Sequence, residues 1–304
     1  MSEENKSVST TGHQWDDEDG YPLQEYNNPL PTWWLYTFYF TIALSIVWWI
    51  LYPAWPLAES ATKGVLGWDM HKQLRAELAE AKKERAVYED QIASMELSAI
   101  ANDTGLKAYA DSAGKAIFGD FCRPCHGPAG QNNSAGFPVL NDDDWLYGGE
   151  LAHISETINN GRAGVMPAHL EAAGGSFSET QVNALTDYVM SLSGLDHDAA
   201  AVAQGKELFN GDASCYTCHG DTAKGSMMDK AEGEEIDGSV GAPNLTDAIW
   251  LYGSSRDDVY KTIANGRNGK MPAWGEGFEG FGKQLTPLDI KKLTIYVHGL
   301  GGGQ

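Results

Sequence analysis

Basic side chains are scarce in this 304-residue chain: 21 Lys and Arg stand against 42 Asp and Glu, a net charge of −21 at pH 7. Such a surface repels a phosphate backbone, so nucleic acid is excluded as a partner and a cationic surface is favoured. Single acidic runs such as Asp142-Asp143-Asp144 read as solvated surface. Long apolar runs are equally rare. One charge-free stretch, Trp33 to Tyr52, has the length of a membrane span, since at about 1.5 Å per residue it covers roughly 30 Å. One such run excludes a multi-helix membrane core. Cysteine is rarer still, with four residues in the whole chain, standing as two pairs.

Each pair sits in the same frame, Cys122-Arg123-Pro124-Cys125-His126 and Cys215-Tyr216-Thr217-Cys218-His219, and Gly127 and Gly220 follow. C-x-x-C-H is the attachment signature of a c-type haem: two thiols add across two vinyl groups, and the adjacent imidazole reaches the iron. A disulfide or half of a zinc site is the rival reading, but zinc gives no reason for a histidine directly after both pairs. The expected cofactors are two covalently bound haems c, held by Cys122, Cys125, Cys215 and Cys218, with His126 and His219 as iron ligands.

A second pair of frames supplies the opposite ligands. Asn160-Gly161-Arg162-Ala163-Gly164-Val165-Met166-Pro167-Ala168 parallels Asn265-Gly266-Arg267-Asn268-Gly269-Lys270-Met271-Pro272-Ala273. A thioether is a soft ligand that raises a haem potential relative to a second imidazole. The proline after each methionine fixes an extended turn that aims the sulfur. Met166 and Met271 are therefore the expected axial partners. Local pairing, Met166 with His126 and Met271 with His219, is the simpler arrangement; exchange between the two halves is the alternative. His169, three residues after Met166, is the rival ligand to watch. His13, His71, His153, His197 and His298 lack any such frame.

The repeat extends further. Gly114 to Phe118 matches Gly205 to Phe209, Gly136 to Leu140 matches Gly241 to Leu245, Trp145 to Gly148 matches Trp250 to Gly253, and Leu185 to Val189 matches Leu293 to Val297. This is an internal duplication of domain-sized units. The second copy carries extra residues in the acidic stretch Asp229–Gly238, which reads as a surface loop. Each copy resembles a class I cytochrome c. The resemblance implies that the helix of Gly114 and Phe118 crosses that of Leu185 and Tyr188, and the helix of Gly205 and Phe209 crosses that of Leu293 and Tyr296. It also implies that the carbonyls of Pro138 and Pro243 accept Nδ1–H from His126 and His219. Trp145 and Trp250 either hydrogen-bond a haem propionate or pack the core. Arg162 and Arg267 either offset propionate charge or decorate a loop.

The apolar run is flanked by Pro31 and Pro53, with Trp33, Trp34 and Tyr36 at one end and Trp48, Trp49, Tyr52 and Trp55 at the other. That is the aromatic belt of a spanning helix. A signal peptide would carry a basic leader, whereas residues 1–32 hold Lys6 alone against seven acids. Lys63, Lys72 and Arg75 after the span would by the positive-inside rule keep the C-terminal part inside. Covalent haem attachment takes place on the outer side, and long domains translocate largely regardless of charge. The expectation is a bacterial inner-membrane, single-pass protein with a cytoplasmic N-terminus and periplasmic haem domains.

Before the span runs Asp19-Gly20-Tyr21-Pro22-Leu23-Gln24-Glu25-Tyr26-Asn27-Asn28-Pro29-Leu30-Pro31-Thr32-Trp33-Trp34. With the single helix and the two cytochrome units, this closely resembles the di-haem subunit of cbb3-type cytochrome c oxidases; Asn27 departs from the Asp expected there. The resemblance implies an all-α fold: a cytoplasmic segment 1–32, a transmembrane helix 33–53, a helical linker 54–104, and cytochrome c domains 105–195 and 196–304. It implies a relay of electrons from a soluble donor cytochrome to a catalytic haem–copper subunit, beside a mono-haem cytochrome subunit of the same complex. The oxygen chemistry itself would belong to another subunit. A di-haem peroxidase needs an iron with an open position, which a methionine on both haems argues against. A haem redox or gas sensor would need a signalling module after the second haem, and none follows.

Within residues 68–98, Leu74, Leu78, Ala81, Arg85, Tyr88, Ile92 and Met95 recur at alternating steps of four and three. This predicts a helix with a narrow apolar seam, an amphipathic linker rather than a true coiled coil.

Overall fold

The computed structural model describes residues 9–15, 23–131, 136–225, 240–280 and 282–301. The acidic stretch Asp229–Gly238 and the first residues of the Asp19–Trp34 segment lie outside these. The chain divides into two units, 1–84 and 85–304.

In the first unit, strands β1 (Thr10–Trp15) and β2 (Leu23–Tyr26) form an antiparallel hairpin, a small addition to the all-helical expectation. Helix α1 (Thr32–Leu51) follows directly on Pro31, which fixes the entry and lacks only an N–H that a helix start leaves unused. It is apolar, buries none of its residues, and is long enough to cross a membrane. Beyond its end the chain doubles back: the N–H groups of Val65 and Leu66 bond the carbonyls of Ile50 and Leu51 at 2.8 and 3.1 Å. Those carbonyls have no partner within the helix, so the loop closes its terminus. Trp48 stacks on Tyr52 and Trp49 meets Trp55 edge-on.

Helix α2 (Met70–Ser94) realises the predicted seam unevenly. Leu74 and Leu78 are about half exposed, whereas Ile92 is fully buried with Ile100, Leu106, Ala110 and Ile295, and Met95 packs beside them. Tyr88 stacks on Tyr109 with ring centroids 4.9 Å apart.

The second unit holds helices α3 (Leu97–Asn102), α4 (Thr104–Phe121), α5 (Arg123–His126), α6 (Leu151–Asn160), α7 (Glu179–Leu192), α8 (Val202–Asn210), α9 (Tyr216–His219), α10 (Arg256–Asn265) and α11 (Pro287–His298). Two five-residue strands, β3 (Arg162–Met166) and β4 (Arg267–Met271), pair antiparallel. Two lobes result, each with its own core. Lobe A packs α4 and α6 against α11 around Phe118, Ile154, Ile158, Leu293 and Val297. Lobe B packs α8 and α10 against α7 around Val182, Leu185, Phe209, Val259 and Ile263.

The helix crossings expected within each repeat are therefore exchanged. Gly114 of α4 meets α11, where an added Cβ would lie 2.7 Å from the Tyr296 Cβ, and Phe118 packs on Tyr296 at 5.4 Å. Gly205 of α8 meets α7, where a Cβ would lie 2.6 Å from the Tyr188 Cβ, and Phe209 packs on Tyr188 at 5.3 Å. The physical reason lies in the connections. The link 193–201 between α7 and α8 is short, which makes those helices antiparallel neighbours. The β3–β4 ribbon carries the chain from lobe A into lobe B and back. After the ribbon, His169 and Leu170 N–H bond the Ile263 and Ala264 carbonyls of α10, while Trp274 and Gly275 N–H bond the Ile158 and Asn159 carbonyls of α6. Lobe B is thus one continuous stretch, roughly 166–265, set into a lobe A made of two.

Candidate functional site

The two C-x-x-C-H frames form the short helices α5 and α9, which follow α4 and α8 in the chain. Cys122 is buried and Cys215 half-buried, and loss of hydration pushes their thiols up to about 12 and about 11. The histidines close the motifs. Nδ1 of His126 lies 3.0 Å from the Pro138 carbonyl oxygen, and Nδ1 of His219 lies 3.0 Å from that of Pro243. A carbonyl only accepts, so each Nδ1 carries the proton and each Nε2 keeps a free lone pair. Burial holds both imidazoles below their usual range, although the proline carbonyls act in the opposite sense. A neutral ring with a fixed tautomer is the form that ligates a metal.

A cavity opens beside His126, lined by Cys122, Pro138, Trp145, Tyr147, Ile154 and Met271 among others. The methionine facing this histidine is thus the one from the second repeat. In the other lobe, Met166, Cys215 and Trp250 each pack against the core that holds Leu185, Tyr188 and Phe209. The ribbon explains both placements. Gly164 pairs with Gly269 at its centre, so Arg162 stands opposite Met271 and Met166 opposite Arg267. Each arginine stays with its own repeat's histidine and each methionine crosses over.

The arginines are half-buried and fixed. Arg162 donates through Nε to Thr157 Oγ1 at 2.9 Å, pairs with Glu156 at 3.0 Å and lies over the Tyr147 ring at 5.0 Å. Arg267 donates to Thr262 Oγ1 through Nε at 3.0 Å and lies over the Tyr252 ring at 4.3 Å. Trp145 and Trp250 both pack against their lobe cores. Trp145 Nε1 donates to the Asp142 carbonyl at 3.1 Å, whereas Trp250 Nε1 is buried without a hydrogen-bond partner among the described residues. His169 sits near Phe177 and within electrostatic reach of His219, on the lobe B side.

These residues fit a porphyrin. The cavity wall is almost wholly apolar, the thiol and imidazole stand together at it, and a thioether closes it from the other repeat. The orphaned Trp250 N–H is a donor of the kind that a buried carboxylate satisfies. Among the described residues no cluster of His, Cys, Asp and Glu suits a bare metal ion.

Sequence reasoning missed Tyr147 and Tyr252 as site residues. They appeared only as letters of the repeated Trp-Leu-Tyr-Gly string, and their recurrence was the available signal.

Residues 7–59 match the family model described as the N-terminal domain of cytochrome oxidase-cbb3, FixP. Residues 110–189 and 200–297 each match cytochrome c oxidase, cbb3-type, subunit III. The chain is 44% identical to the cbb3-type cytochrome c oxidase subunit FixP of Azorhizobium caulinodans, over 97% of this chain and 94% of that one. It is 42% identical to subunit CcoP of Azospirillum sp. strain B510, over 99% and 98% of the two chains. It is 40% identical to CcoP of Cereibacter sphaeroides, over 97% and 95%. The chain belongs to the family of the CcoP/FixP subunit of cbb3-type cytochrome c oxidases.

Proposed function

We propose that this chain is the membrane-anchored di-haem relay of a cbb3-type oxidase, carrying electrons from a periplasmic donor toward the catalytic subunit. The observation that carries the reading is the pairing in lobe A of a proline-held His126 with Met271 across one apolar cavity. A haem supplies reversible one-electron chemistry between ferric and ferrous iron. The chain's own residues then do four things. Cys122, Cys125, Cys215 and Cys218 tether the macrocycles. His126 and His219 donate through Nε2, oriented by Pro138 and Pro243. Met271 would serve the iron held by His126 and Met166 the iron held by His219, which would leave neither haem open to a substrate and favours transfer over peroxidase chemistry. Trp250 would supply an N–H to a propionate.

Helix α1 anchors the chain with its N-terminus in the cytoplasm and both lobes in the periplasm. The partners are the haem–copper subunit, the mono-haem cytochrome subunit and a soluble donor cytochrome. The net charge of −21 favours a donor with a cationic face.

The test begins with mass: denatured protein carries two covalent porphyrins, and in the native protein both are low-spin in either oxidation state. Zinc, or no covalent porphyrin, would end the reading. The exchange is tested in a chain with Cys215→Ala and Cys218→Ala, which retains the Cys122/Cys125 haem alone. Met271→His then abolishes its far-red sulfur-to-iron band and lowers its potential, because imidazole favours ferric iron more than a thioether does. Under local pairing Met166→His would do so instead.

A further inference from the structure

The rings of Tyr147 and Tyr252 each belong to one lobe and press on the other. Tyr147 lines the cavity of His126 and lies under Arg162, whose strand neighbour is Met271. The same ring lies against Gly241, where φ is +60° and a Cβ would stand 2.5 Å from Tyr147 Cε1. Gly241 is two residues before Pro243, the residue whose carbonyl holds His219. The mirror contact is looser. Tyr252 lies under Arg267 and faces Gly136, where a Cβ would stand 3.1 Å from its Cε1. Gly136 is two residues before Pro138, and its N–H bonds the carbonyl of Leu251, the neighbour of Tyr252, at 3.0 Å.

We propose that Tyr147 and Tyr252 are reciprocal positioning residues, each propping the proline loop that orients the histidine of the opposite lobe. A proline carbonyl that accepts Nδ1–H makes the imidazole a stronger donor to the metal. Anything that shifts the loop changes that bond and so changes the balance of ferric and ferrous iron in the neighbouring lobe. The arrangement accounts for three otherwise separate facts: the recurrence of Tyr in both repeats, a glycine against each ring, and an arginine over each ring. Tyr147 is the stronger prop, because its ring fills the space that a side chain at Gly241 would need.

The proposal rests on the two-haem reading above and is tested on the full-length holoprotein. In a Met271→His background the remaining sulfur-to-iron band reports lobe B alone. Tyr147→Leu there keeps bulk but removes the flat ring; the expected results are a rise in the lobe B potential and a displaced far-red band. Tyr147→Phe restores both. Tyr252→Leu in a Met166→His background produces the smaller rise in lobe A. Should Tyr147→Leu assemble poorly, Gly241→Ala displaces the loop from its other side. Its effect on the lobe B potential then persists with Tyr147→Phe, which keeps the ring, and shrinks with Tyr147→Ala, which removes it, only if the ring is what it meets. A lobe B potential and band unmoved by both Tyr147→Leu and Gly241→Ala overturn the proposal. Absence of any far-red band in the Met271→His background would instead defeat the ligand reading itself.

Discussion

Arg256 of the second repeat grips Asp187 of the first, with Nη2 2.9 Å from Oδ2 and Nε 3.3 Å from Oδ1. The Asp187 side chain is only 3% exposed, whereas Arg256 is 44% exposed. Asp187 also accepts from the backbone N–H of Asp198 at 3.2 Å. The pair locks α10 to α7 and so belongs to the exchanged packing alone. Arg256→Ala strands a buried carboxylate with one weak donor. Full burial of such a pair would make its loss worth about 3 kcal/mol or more, and the exposed guanidinium reduces that to about 2 kcal/mol. Urea unfolding of the holoprotein reads the loss. Asp187→Asn combined with Arg256→Ala costs less than Arg256→Ala alone, since no charge is then left buried.

Because lobe B is a continuous stretch, the cut that yields a foldable piece is not at the repeat boundary. A fragment spanning 162–271 contains α7, α8, α9 and α10 with Met166 and His219, and is expected to mature with one low-spin haem. A fragment spanning 196–304 contains α8 and α11, which pack in different lobes, and is expected to yield no His/Met spectrum. Periplasmic expression of both, read by haem stain and the far-red band, separates the exchanged from the local arrangement. Success of the second fragment and failure of the first would reverse the lobe assignment.

The residue types at each helix crossing were readable because a close approach needs glycine and the gap beside it needs aromatic rings. Their partners were not. Gly114 and Gly205 present the same surface, and so do Tyr188 and Tyr296, so a duplicated sequence fits either pairing equally well. What decides is the short 193–201 link and the hydrogen bonds of β3 to β4. Those strands read in the sequence only as methionine loops, since Arg-Ala-Gly-Val-Met and Arg-Asn-Gly-Lys-Met show little β-branched content. The histidine, cysteine, proline and methionine frames were legible because their chemistry is local. Tyr147 and Tyr252 were not, because each acts on a loop more than 90 residues away in sequence.

Lys291 gives α2 a fixed end. Its Nζ lies 3.2, 2.9 and 2.6 Å from the carbonyl oxygens of Ile92, Ala93 and Met95, where a helix leaves acceptors unpaired. Lysine carries charge to the negative pole of the helix as well. Lys291→Met keeps the stem and removes the donors. The expected cost is about 1 to 2 kcal/mol, with faster amide exchange and protease cleavage near residues 93–96. Haem spectra should stay unchanged, because Lys291 takes no part in either site.

Asp144 gives stability an inverse dependence on pH. Asp144 lines the lobe A cavity, and burial first, then repulsion from Asp247, Asp142 and Asp143, raises its carboxyl from the usual 3.8 to about 7. Between about pH 4 and pH 7 the folded chain therefore holds a proton that the unfolded chain has released. Stability from this group is highest at the acid end of that window and falls as pH rises through it. Above pH 7 the folded protein bears the full cost of a buried, repelled carboxylate. Asp144→Asn removes the titration while keeping the shape. The variant is expected to gain stability over the parent at pH 8 and to lose most of that advantage by pH 5, in denaturant unfolding of the holoprotein at the two values. A parent-to-variant difference that stays constant between pH 5 and pH 8 would show that the carboxyl is ionised throughout, and that Asp247 and Asp142 do not act on it.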